Sequence, residues 1–177
     1  MCTTQIMIDL ADVILPRDAK RQMPRSRRRR REVAARMREL GWNVETEVPV
    51  TKLLRKGFDQ NYGDVDVLAW NKDLGRVLLM ECKDVQHRKI EGEIAEQLAD
   101  FRGELKSGGK PDHLLRHLRR IQIISAHAKE VGIHAGFDGL PKIEGHLVFR
   151  HPVPMKFAWQ RMESRIALKL FDELEGV

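Results

Sequence analysis

Nowhere does this chain approach the ~20 consecutive apolar residues that a membrane-crossing helix needs, so no membrane association is expected. Ile6, Met7, Ile8 and Leu10 stand near the start, but Asp9 and Asp12 interrupt them and no basic stretch precedes them, which argues against a secretory leader. Cysteine is nearly missing. Cys2 and Cys82 cannot make the disulfide framework of a small secreted domain, and a reducing, cytoplasmic compartment follows. Cys82 lies inside an apolar run, where a buried free thiol is the ordinary outcome. Internal repeats are absent, and the only low-complexity stretch is a run of arginines. A Walker-type phosphate loop is also absent, because Gly108-Gly109 precedes a lysine without the required spacing. His113 and His117 have helical i, i+4 spacing, but the segment HLLRH lacks the glutamate of the zinc-protease motif and no cysteine pair accompanies it. With Arg116, Arg119 and Arg120 these histidines read as a basic helix face for phosphates.

What the chain does have is enough apolar material for a core. Its 177 residues are 42% hydrophobic and 33% charged, which suits one folded domain with a busy surface. Lys and Arg number 32 against 26 Asp and Glu, and the net charge of +6 favours a polyanionic partner over mere solubility.

Residues 1–25 read as an N-terminal appendage, since Pro16 and Pro24 bracket a polar stretch without a long period. The domain runs over 26–177, with a core at 26–105 and further helices and a strand at 106–177. Ser26 is placed to cap a helix whose Val33, Met37 and Leu40 recur at i, i+4, i+7, and Gly41 ends it. Arg27, Arg28, Arg29, Arg30 and Arg31 open this helix although its dipole favours carboxylates there. Phosphate contact is the preferred use of that run, and a solvated charge run is the alternative.

Trp42 to Val50 alternates as a half-wet strand. Gly63–Trp70 and Arg76–Val85 are apolar at consecutive positions, as in strands covered on both faces, and flank a hairpin signal at 71–75. Ile90, Ile94, Leu98, Phe101 and Leu105 predict a helix. Pro111 opens another through Leu114, Leu118 and Ile121, while 121–124 fits helix or strand. Lys142–Arg150 predicts a strand, and Trp159, Met162, Ile166 and Leu170 a closing helix. Trp42, Trp70 and Trp159 fall on core positions. The fold class is α/β, a mixed sheet of about four strands with helices on both faces.

Asp66, Glu81 and Lys83 sit in or at the ends of strands otherwise built for burial, where charges are costly unless paired or bound to metal. Side chains alternate along a strand, so Glu81 and Lys83 share a face. A hairpin symmetric about Asp73–Leu74 sets Asp66 opposite Glu81 across the ladder, and a slip of one residue would undo this. Two carboxylates that close repel, and a divalent cation of the Mg²⁺ or Mn²⁺ type relieves the repulsion. A salt-bridged Glu81–Lys83 or Asp66–Lys83 pair that stabilises the hairpin end is the alternative use.

The run GDVDVLA, with an E-x-K beginning 15 residues after Asp66, resembles the PD-(D/E)xK, or restriction-endonuclease-like, nuclease superfamily over Ser26 to about Leu105. That resemblance implies a restriction-endonuclease-like core and a metal held by Asp66, Glu81 and the Cys82 backbone carbonyl, with Lys83 serving the nucleophile or transition state. It adds Asp64 as a lesser member and Glu32 as the nearest match to a glutamate that many relatives place on the leading helix. Gln97 matches a glutamine that some relatives carry after E-x-K, with Phe101 in place of their tyrosine. The implied activity is Mg²⁺- or Mn²⁺-dependent hydrolysis of phosphodiester bonds, in DNA before RNA. Arg27–Arg31 and Arg116, Arg119 and Arg120 would grip the backbone. Two other functions compete: a catalytically silent nucleic-acid-binding module on the same fold, and a basic regulatory or assembly domain that meets an acidic protein. A homodimer or a targeting partner protein stays open, as do endonuclease against exonuclease action and restriction, repair or anti-phage roles.

Overall fold

Two apolar strands set the frame. β2 (Asp64–Asn71) and β3 (Arg76–Lys83) pair antiparallel, from Asn71 opposite Arg76 to Val67 opposite Met80. This is the hairpin register expected from symmetry about Asp73–Leu74. Asn71 Oδ1 accepts from the Leu74 amide at 3.1 Å, and Gly75 takes the left-handed backbone (φ 64°) that closes the turn. The computed structural model describes residues 24–85, 91–156, 159 and 166–177. The expected N-terminal appendage therefore lies almost wholly outside the described residues.

β1 (Asn43–Pro49) pairs antiparallel with β2, while β4 (Lys142–Phe149) and β5 (Ile166–Leu170) extend the other side in parallel. The result is an α/β fold with a mixed five-stranded sheet in the order β1-β2-β3-β4-β5, one strand more than expected. The extra strand occupies the last five residues of the predicted closing helix, and a 3₁₀ helix at Phe171–Gly176 follows it. Ile166 and Leu170 are four apart, a spacing that satisfies a helical period and a strand period alike. Met162, counted in that helix, lies outside the described residues.

Helices cover both faces. α1 (Arg25–Glu39) buries Val33, Ala34 and Met37 against Val67, Ala69, Leu78, Met80, Cys82 and Val148. Its cap is Pro24 and not Ser26, because the Pro24 carbonyl accepts from the Arg27 and Arg28 amides at 3.0 and 3.1 Å. A single turn, α2 (Val50–Leu53), follows β1. Between β3 and β4 come α3 (Glu91–Ala99), α4 (His113–Ser125) and α5 (Ala128–Ala135). The predicted helix to Leu105 ends earlier, and Asp112 shows why. Its carboxylate accepts from Gly103 and Glu104 amides at 2.7 and 3.0 Å while capping α4 through Leu115 at 2.7 Å, so α4 starts after Asp112 and not at Pro111. The ambiguous 121–124 segment is helical within α4. Trp42 and Trp159 are buried as expected, and Trp70 is half-buried.

Alternation along β3 sends Leu78, Met80 and Cys82 toward α1, and so turns Glu81 and Lys83 toward α4. α4 lies close to the sheet at Gly145 of β4, where a Cβ would stand 2.1 Å from Ile121 Cδ1. Among the described residues no helix is long and apolar enough to cross a membrane. Gly145→Val should lower stability in denaturant unfolding by about 1–3 kcal/mol through overpacking, and adding Ile121→Ala should return part of the loss. Unchanged stability of Gly145→Val would show that α4 does not rest there.

Candidate active site at the ends of β2 and β3

The β2–β3 ladder stops at Val67–Met80, and just beyond it the two acids gather their partners. Asp66 Oδ2 accepts from the Cys82 amide at 2.9 Å, which ties β2 to β3 past the last regular pair. Its Oδ1 stands 3.1 Å from Arg30 Nε of α1. Glu81, buried, has Lys83 Nζ 2.7 Å from Oε1 and Arg120 Nη1 2.6 Å from Oε2. Arg120, buried on α4, also donates through Nε to the Tyr62 carbonyl at 3.0 Å. Arg120 thus ties α4 to both the loop before β2 and the end of β3. Asp66, Glu81 and Lys83, singled out from sequence, fall in a single charge cluster.

The cluster drives its two acids in opposite directions. Burial, then the negative charge of Glu81, raises the Asp66 carboxyl to about 6, against the pull of the Cys82 amide, Arg30 and Lys83. Burial would also raise Glu81, but Lys83, then Arg120 and His117, together outweigh it and hold Glu81 down to about 2. Paired acids separated in this way are a recurring property of catalytic sites. His117 lies buried one helical turn before Arg120, and burial lowers it to about 4.

Asp66 and Glu81 offer carboxylate oxygens, the donors Mg²⁺ takes when it keeps several waters and borrows one or two carboxylates. Burial and the neighbouring Glu81 charge raise the proton affinity of Asp66, and a carboxylate pair of this kind suits a hard divalent cation. Among the described residues no group of three or more His, Cys, Asp and Glu side chains is placed to hold a metal.

The other predicted members differ in burial and in partners. Glu32 pairs with Arg28 at 3.2 Å and Arg29 at 2.6 Å and borders a groove with Phe171, Asp172 and Glu175. The arginines one turn earlier claim it by i, i+3 and i, i+4 spacing. Asp64 is exposed at the start of β2, and Gln97 is buried on α3. The arginine run, expected to grip phosphates, is largely neutralised within the fold. Arg28 and Arg29 serve Glu32, Arg27 and Arg30 serve Glu47, and Arg30 also serves Asp66. Arg31 is half-buried. Arg120, placed by the sequence on a phosphate-facing surface, is instead a buried counterion, because Glu81 faces α4 and needs one. Arg116 is exposed and Arg119 half-buried on the same helix.

Sequence reasoning missed Arg30, Glu47 and Arg120 as partners of the acids. It also read His117 as a surface group. One signal was available for His117, since it falls in the buried stripe of α4 with Leu114, Ile121 and Ile124. Glu47 carries no such signal. Its left-handed backbone, φ 54°, appears only in the folded chain.

Residues 25–169 match the Upx-like family, described as anti-phage protein Upx-like. No curated protein and no solved structure matches the chain.

The Asp66 carboxyl stands above its ordinary range in the folded protein, so between about pH 4 and 6 the folded state holds a proton there that the unfolded chain lacks. Stability from this group is therefore present at low pH and lost as pH rises through 6. Asp66→Asn should raise the melting temperature at pH 7, by the equivalent of about 1–3 kcal/mol, and the advantage should shrink toward pH 4. A lowered melting temperature at pH 7 would show that the charge at Asp66 is fully compensated.

Proposed function

This chain belongs to the Upx-like anti-phage protein family, and within that family we propose that it is a metal-dependent nuclease of the PD-(D/E)xK type acting on nucleic acid, DNA first. The observation that carries the reading is the cluster at the hairpin end: two acids with divergent protonation and a lysine 2.7 Å from one of them. The element order supports it, since a leading helix, three strands and a following helix succeed one another as the resemblance implies. The net charge of +6 suits a polyanionic substrate.

A bound Mg²⁺ or Mn²⁺ would supply a more acidic water and polarise a phosphoryl oxygen. Asp66, Glu81 and the Cys82 carbonyl are the residues that would hold it. Lys83, fixed beside Glu81, keeps its ammonium where it can orient the attacking water or neutralise charge growing on phosphorus. Arg120 keeps Glu81 ionised and, through the Tyr62 carbonyl, fixed in place. Arg116, exposed on α4, is available to the phosphate backbone.

A second reading, a silent nucleic-acid-binding module, has one observation in its favour. Arg30 and Arg120 already compensate both acids without a metal. Plasmid, linear and single-stranded DNA, each with and without Mg²⁺ or Mn²⁺, separate the two. Cleavage should require the cation and fall about 100-fold or more in Glu81→Gln and in Lys83→Met, while salt-sensitive binding persists. Binding without cleavage selects the silent module, and undiminished cleavage by Glu81→Gln removes these residues from the chemistry.

A further inference from the structure

Glu47 holds an unusual position beside Asp66. Its neighbours Thr46 and Val48 pair with Val67 and Val65, so Glu47 stands across from Asp66 at the one gap in the β1–β2 ladder. Its backbone is left-handed there, φ 54°, a conformation that costs an L-residue roughly 1–2 kcal/mol. The carboxylate so presented forms an ion pair with Arg30 Nη1 and lies 3.5 Å from Arg27 Nε.

Arg30 therefore spans two acids, but unequally. Its Nη1 hydrogen bonds to Glu47, whereas its buried Nε, 3.1 Å from Asp66 Oδ1, makes no aligned hydrogen bond. The contact to Asp66 is charge alone. The other Asp66 oxygen, Oδ2, is taken by the Cys82 amide, so Oδ1 is the atom left for a cation, and Arg30 stands on it. A guanidinium cannot give up its proton. It can yield that oxygen only by leaning on another anion, and Glu47 already grips it.

We propose that Glu47 is a positioning residue that holds Arg30 as the built-in counter-cation of Asp66 and draws it aside when a divalent ion arrives, so that the Glu47–Arg30 pair sets the ion affinity of the site. The proposal rests on the nuclease reading for the use of the ion.

Mn²⁺ titrated calorimetrically into the full chain tests it with wild type, Glu47→Gln, Arg30→Gln and the double variant. Glu47→Gln should weaken Mn²⁺ binding about tenfold, because Arg30 then has Asp66 as its remaining acid. Arg30→Gln should tighten binding, and the double variant should match Arg30→Gln. Glu47→Gly removes the same carboxylate while suiting the positive φ, and gives the same answer if Glu47→Gln folds poorly. A double variant weaker than Arg30→Gln would make Glu47 a ligand and overturn the proposal, as would an Arg30→Gln that binds no tighter than wild type. DNA cleavage measured in parallel keeps the two readings apart. The expected binding pattern without cleavage supports the proposal and removes the nuclease. Cleavage with no effect of Arg30 removes the proposal alone, and no Mn²⁺ binding by wild type and Arg30→Gln removes both.

Discussion

A buried carboxylate with a cation on each side organises this molecule. Glu81 reaches Lys83 along its own strand and Arg120 from α4, and Arg120 in turn holds the Tyr62 carbonyl. A charge so far from water is tolerable only when its partners are fixed. The packing that fixes them extends well beyond the site. Gly145 lets α4 lie close to β4, the stripe of Leu114, Ile121 and Ile124 holds it there, and Asp112 starts it at the right residue. Helix placement and charge placement are one constraint.

The same logic accounts for the arginine-rich start of α1. A run that looks like a nucleic-acid grip is committed in large part to the protein's own acids, Glu32, Glu47 and Asp66. Net charge remains positive, and Arg116 is among the exposed positions that carry it. The match to the Upx-like family spans 25–169, which includes Arg30, Glu47, Asp66, Glu81, Lys83 and Arg120. The whole cluster belongs to the segment that defines the family.

The sequence made the local features legible and hid the distant ones. The β2–β3 register could be read because a short hairpin leaves few alternatives and both strands have apolar centres. The pairing of Glu81 with Arg120 could not, because it joins residues 39 apart through a helix whose orientation depends on tertiary packing. Arg30 and Glu47 were hidden for the same reason. β5 was misread as helix because Ile166 and Leu170 fit both periods, and the choice was made by the open edge of β4.

The parallel pairing of β3 and β4 gives the site a history within each chain. Asp66 and Glu81 are brought together by a local hairpin, whereas Arg120 sits in the long crossover that joins β3 to β4. The acids are therefore near one another in the chain and their last counterion is distant. While a chain is being synthesised, its N-terminal half can carry the acids and Lys83 and still lack the arginine that steadies Glu81. Completion of the sheet is thus also maturation of the charge cluster, and a half-made copy stays electrostatically unfinished.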